Sequence, residues 1–106
     1  MQMIYNSPLF CVVEFADATP EDGRALRGFE IVETLPMREK SLRQALSAHD
    51  CGPLEILVRG VDVDPDALRR RLRPAGSQAL STVITRLGRG REAKAVAFIC
   101  RASRNA

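Results

Sequence analysis

Tryptophan is missing from this 106-residue chain, and its aromatic side chains amount to four Phe and one Tyr. Any core must therefore be mostly aliphatic. Cysteine is scarce too: Cys11, Cys51 and Cys100 are far apart, with no Cys-x-x-Cys or Cys-x-x-His spacing. That argues against a disulfide framework and against a zinc site. No apolar run approaches the roughly 20 residues that span a bilayer, and no charged-then-apolar leader opens the chain. These absences lead us to expect a cytoplasmic protein with no membrane contact. Internal repeats and low-complexity tracts are also lacking.

What is present is ordinary for a globular chain, 45% hydrophobic and 27% charged residues, enough for one domain with a modest core. The net charge of +3 hides an asymmetry. Residues 1–53 carry five basic and eight acidic side chains, whereas residues 54–106 carry eleven basic and five acidic. A basic half on a small domain is the footprint expected of a polyanion binder. A well-solvated surface would look the same.

Periodicity divides the chain. Phe10-Cys11-Val12-Val13-Glu14-Phe15 reads as a strand, and Asp17 to Gly28 as a loop or boundary. Phe29 to Leu35 reads as a second strand, and Pro36 suits the first turn of a helix. Leu42, Ala45, Leu46 and His49 then form one helical stripe. Gly52 is expected to end that helix in a left-handed conformation, with Cys51 in the turn and Pro53 preventing continuation. Leu54 to Arg59 alternates as a strand. Asp64 is placed to cap a short helix with Pro65 at its first position, ended by Pro74 and Gly76. Leu80 to Leu87 and Ala95 to Cys100 form a hairpin around Gly88-Arg89-Gly90-Arg91. Residues 103–106 are expected to fray. From Phe29 the order is β-α-β-α-β-β, preceded by an extra strand. It predicts an α/β (α+β) sandwich, a mixed sheet with two helices on one face.

No catalytic constellation is visible. Cys51 and His49 could be imagined as a nucleophile pair. A turn cysteine beside a structural histidine accounts for both more simply. Cys11 and Cys100 lie in apolar runs, as buried thiols do.

The densest stretch is Arg59-Gly60-Val61-Asp62-Val63-Asp64-Pro65, followed by Leu68-Arg69-Arg70-Arg71-Leu72-Arg73. On a wheel of about 100° per residue, Leu68 and Leu72 set the core direction, and arginine covers most of the remaining circumference. Guanidinium groups suit bidentate phosphate contacts. The candidate nucleic-acid-binding residues are Arg59, Arg69, Arg70, Arg73, Arg86, Arg89, Arg91 and Lys94, provided the fold brings them together. A plainer account competes. Asp62, Asp64 and Asp66 lie at the positive end of the helix and arginines at its negative end. Asp66 can also pair with Arg69 or Arg70, each pair worth about 0.2–0.5 kcal/mol. With so few aromatics, shape and phosphate recognition fit better than base readout.

From about Phe29 to Arg101 the sequence resembles the THUMP-like domain at the C-terminus of certain bacterial class I S-adenosylmethionine-dependent methyltransferases. The resemblance is carried by Phe29-Glu30-Ile31-Val32-Glu33-Thr34-Leu35-Pro36, Glu39-Lys40-Ser41-Leu42-Arg43-Gln44-Ala45-Leu46, Gly52-Pro53-Leu54-Glu55-Ile56, the Arg59 to Arg73 stretch, and Thr82-Val83-Ile84-Thr85-Arg86. One departure is Leu57-Val58, where the family usually carries lysines. The resemblance implies three parts: residues 1–28 outside the family, a THUMP-like domain over 29–102, and a tail over 103–106. It implies a non-catalytic RNA-binding accessory domain that positions structured RNA, such as tRNA or rRNA, for a methyltransferase in cis or in trans. The alternative is a scaffolding module docked on that catalytic domain. No cofactor is expected in this chain, and S-adenosylmethionine would belong to the catalytic domain. Gly88-Arg89-Gly90 has alternating glycines but joins two strands instead of opening a helix.

Overall fold

A computed structural model describes residues 2–6, 10–15, 25–101 and 104–105. Side chains are described from Gly28 to Arg101. In chain order the elements are β1 (Gln2–Asn6), β2 (Phe10–Phe15), β3 (Ala25–Pro36), α1 (Glu39–Ala48), β4 (Cys51–Arg59), α2 (Pro65–Leu72), β5 (Gln78–Leu87), a single 3-10 turn at Gly90–Glu92, β6 (Lys94–Arg101) and β7 (Arg104–Asn105). The sheet order is β1-β2-β3-β6-β5-β4, with β7 also on β3. β4 pairs in parallel with β5, and β6 runs antiparallel to both β5 and β3. The sheet is therefore mixed, as the alternation of helices and strands predicts.

Both helices cover one face. Leu42 and Leu46 of α1 and Leu68 and Leu72 of α2 join Leu54, Ile56, Leu80, Ile84, Ala97 and Ile99 in one buried cluster. Each fully buried leucine contributes about 1.5–3 kcal/mol. Strand alternation sends the intervening residues to the other face. Phe29, Ile31, Val83, Phe98 and Cys100 form a second buried cluster there. Thr82 falls in the helix-facing set, between Leu80 and Ile84. Its hydroxyl is buried with no hydrogen-bond partner among the described residues.

Several boundaries differ from the sequence expectation. β3 begins at Ala25, so the segment read as loop up to Gly28 is partly strand, paired with β2. Pro36 is not in the first helical turn. Pairing of Leu35 with Ala97 and Pro36 with Val96, and a Met37 N–H bond to the Ala95 carbonyl, hold that segment extended. Gly52 is not the left-handed residue after α1. Asp50 is, at φ 57°, and Cys51 and Gly52 already belong to β4. Cys51 is accordingly buried in a strand, not placed in a turn. Arg73, at φ 49°, is the left-handed residue that ends α2. Two strands precede β3 where one was expected. Arg104–Asn105 pairs with β3 where fraying was expected. Cys100 is buried, and the side chain of Cys11 lies outside the described residues.

Candidate functional site

α2 is assembled as its sequence requires. Asp64 accepts hydrogen bonds from the N–H groups of Asp66 (3.0 Å) and Ala67 (3.4 Å), satisfying two donors of the first turn. Leu68 and Leu72 anchor the helix, and Arg69, Arg70, Arg71 and Arg73 are all exposed. Arg69 pairs with Asp66 at 2.7 Å, one of the two spacings anticipated. The side chains of Arg70 and Arg73 have no hydrogen-bond or ion-pair partner among the described residues. A left-handed arginine is costly: glycine avoids about 1 kcal/mol of Cβ strain there.

Arg71 turns toward the other helix. Its Nε donates to Glu39 Oε1 at 2.8 Å, while Arg43 donates to Glu39 Oε2 (3.3 Å) and to the Arg71 carbonyl (3.0 Å). Glu39 thus braces one arginine from each helix, and Arg43 satisfies a carbonyl at the end of α2. Sequence reasoning missed Arg43, Arg71 and Glu39 as a unit. The four-residue spacing of Glu39 and Arg43 was readable. The reach from Glu39 to Arg71 depends on how the helices pack.

Between α1 and the α2–β5 connection lies an open groove of about 1060 Å³. Arg43, Arg70, Arg71 and Arg73 rim it, and Asp50 and Cys51 also line it. Its wall is fixed by backbone contacts. The Asp50 carbonyl accepts from the N–H groups of Ser77 (3.0 Å) and Gln78 (2.8 Å), and the Cys51 carbonyl from Gly76 (2.7 Å). The Asp50 carboxylate accepts from the Ser77 hydroxyl.

Arg69, on α2, does not line this groove, and neither do the other five candidates. Arg59 ends β4, Arg86 sits late in β5 with its Nε on the Gly60 carbonyl at 3.2 Å, Arg89 and Arg91 lie in the connection to β6, and Lys94 opens β6. All five are exposed. β5, ten residues long, starts beside the groove and ends at this hairpin. At about 3.3 Å per residue the two basic groups are roughly 30 Å apart. The single patch that the sequence left open is therefore two, one at each end of the sheet.

His49 and Cys51 do not form a nucleophile pair. The His49 ring meets Glu33 at 2.8 Å, half-buried at the end of α1. The Cys51 thiol faces the Gly52 carbonyl at 3.7 Å. Burial first, and then the Asp50 charge, push its pKa above the ordinary 9.0. The unfolded thiol therefore ionises before the folded one. Stability from this group is full at neutral pH and is lost as pH rises past 9.0 toward the folded value. Iodoacetamide is accordingly expected to label Cys51 far more slowly than a free thiol at pH 7.5. Labelling at the free-thiol rate in the folded protein would contradict the buried placement.

Gly88 (φ 96°) and Gly90 (φ 56°) supply the left-handed turns that lead β5 into β6 through the 3-10 turn. They open no α-helix. Among the described residues no group of three His, Cys, Asp or Glu side chains is placed to hold a metal ion, and no helix is long and apolar enough to cross a membrane.

A mixed sheet backed on one face by two helices, with an arginine-rimmed groove beside them, defines a small α+β domain. Residues 26–102 match the model of the family described as THUMP domain-like, and the chain belongs to that family. It is 61% identical over 80 residues to proteins of two Mycobacterium tuberculosis strains, H37Rv and CDC 1551, named as uncharacterized S-adenosylmethionine-dependent methyltransferases. The match covers 76% of this chain but 22% of theirs. A Burkholderia thailandensis protein is 47% identical over 51 residues, 45% of this chain and 56% of that one. The crystal structure of a Porphyromonas gingivalis W83 protein, proposed to be a methyltransferase, shares the fold. Its TM-score is 0.55 at 23% identity, over 71% of this chain and 18% of that one.

Proposed function

We propose that this chain is a non-catalytic RNA-binding accessory domain that positions structured RNA for a methyltransferase. The catalytic part would lie in the same polypeptide, as the names and greater lengths of the mycobacterial relatives suggest, or in a separate subunit. S-adenosylmethionine would be held by that part. Phosphates would be met by Arg69, Arg70 and Arg73 at the groove end and by Arg59, Arg86, Arg89, Arg91 and Lys94 at the hairpin end. The observation that carries this reading is Arg73. It holds a guanidinium in a backbone conformation where glycine would be cheaper, beside Arg70, with neither side chain partnered among the described residues. Strain retained at an exposed cation points to use by a ligand.

The reading predicts salt-sensitive binding. Affinity of the full chain for a structured RNA should fall linearly on a log–log plot against salt, with a slope of about −0.7 to −0.9 per phosphate contact. Anisotropy titrations between 50 and 200 mM salt measure it. Absence of salt-sensitive binding to tRNA, rRNA fragments and model hairpins alike would reject the proposal.

A further inference from the structure

The groove between α1 and the α2–β5 connection has a chemistry of its own. Four arginines line it, Arg43 from α1 and Arg70, Arg71 and Arg73 from the end of α2, with Asp50 as the lining acidic residue. The Asp50 carboxylate is already engaged by the Ser77 hydroxyl. Glu39, not among the lining residues, holds Arg43 and Arg71 through one contact each and so engages part of each guanidinium. Arg70 and Arg73 have no side-chain partner among the described residues. Leu46, Leu72, Cys51 and Pro74 also line the groove, so part of its wall is apolar and ion pairing there is stronger than in open water.

The balance of charge selects the ligand. A carboxylate has two oxygens and one charge, which one arginine fork satisfies. Four arginines on one groove, two of them without an ion-pair partner among the described residues, suit a group with more oxygens and more than one negative charge. We infer that the groove is a phosphoryl-binding site, in which a phosphate or diphosphate group is held by Arg43, Arg70, Arg71 and Arg73, and which the hairpin cations do not share. The phosphoryl group could come from an RNA backbone or from a free nucleotide. Only the first source rests on the function proposed above.

Inorganic pyrophosphate and a structured RNA distinguish the two sources. The full chain is titrated with each, calorimetrically for pyrophosphate and by anisotropy for RNA, and pyrophosphate is also tested as a competitor of bound RNA. The groove variant combines Arg70→Ala with Arg73→Gly, and Arg43→Ala is made separately. The hairpin variant combines Arg89→Ala with Arg91→Ala. Thermal melts confirm folding, and glycine at position 73 relieves backbone strain, so lost binding in that variant cannot be ascribed to unfolding. The expected result is pyrophosphate binding weakened at least tenfold by the groove variants and changed less than twofold by the hairpin variant, with pyrophosphate displacing RNA. RNA binding that resists pyrophosphate and survives the groove variants would overturn the groove assignment and leave the RNA reading standing. Pyrophosphate binding lost in the groove variants, with no RNA bound by any form, would uphold the site and reject the RNA reading. Binding of neither ligand would overturn both.

Discussion

Alanine at Gly76 is expected to lower the melting temperature by about 10–20 °C, equivalent to about 3 kcal/mol in a domain of this size. A Cβ at this position would lie 2.3 Å from the Asp50 carbonyl oxygen and 2.4 Å from the carbonyl carbon, well inside contact distance. The obstacle is backbone, which cannot swing aside as a long side chain does. The two segments cannot separate either. Hydrogen bonds from Gly76 to the Cys51 carbonyl, and from Ser77 and Gln78 to the Asp50 carbonyl, hold them together. Gly52 meets the same constraint from the other side, since its Cβ would lie 2.3 Å from the Gly76 carbonyl oxygen. Gly90→Ala is the informative control. Its Cβ would have no neighbour within 4 Å, but its φ is 56°. It should cost only the left-handed backbone penalty of about 1 kcal/mol. If circular-dichroism melts show the two variants equally stable, close approach is not what requires glycine at position 76. Because Asp50, Cys51 and Gly76 all line the groove, this close backbone approach also shapes the candidate site.

Which features were readable depends on the range of the interaction that sets them. α2 was legible nearly to the residue, because its start is fixed by the local Asp64 cap and Pro65, and its inward face by the four-residue spacing of Leu68 and Leu72. The β5–β6 hairpin was legible for the same reason. Pro36 misled because proline suits both a first helical turn and a strand end. What decided it was pairing with Val96, sixty residues away. The end of α1 misled in the same way. Gly52 has the right composition for a left-handed terminus, yet its lack of a Cβ is needed for Gly76, and Asp50 takes the left-handed role. The candidate cations were found singly from composition, and each is exposed as expected. Their division into two groups was not legible. It follows from β5 running the length of the sheet between them. Nor was the part played by Arg43 and Glu39, which depends on the packing of α1 beside α2.

Reversing Arg70 and Arg73 together, as Arg70→Glu with Arg73→Glu, is expected to reduce RNA affinity by more than about a hundredfold at 50 mM salt. Each substitution removes a guanidinium able to donate two charge-assisted hydrogen bonds to one phosphate, worth about tenfold. Each also places a carboxylate where the phosphate would sit, so the combined loss exceeds that from alanine. The salt slope should shrink by about two units, one for each lost phosphate contact. Structural damage predicts otherwise. Both side chains are exposed, and neither has a partner among the described residues, so the cost to stability should be confined to the helix-terminus charge effect, about 0.3–1 kcal/mol for each reversal. Position 73 allows a sharper separation, because its left-handed backbone splits stability from binding. Arg73→Gly should raise the melting temperature slightly, by relief of about 1 kcal/mol of strain, while weakening RNA binding about tenfold. A residue kept only to end α2 would show the first effect without the second. If affinity is unchanged in Arg73→Gly and in the double reversal, the arginines of α2 serve the helix alone, completing its electrostatics opposite Asp64 and Asp66, and the RNA-binding surface must be sought at the hairpin end.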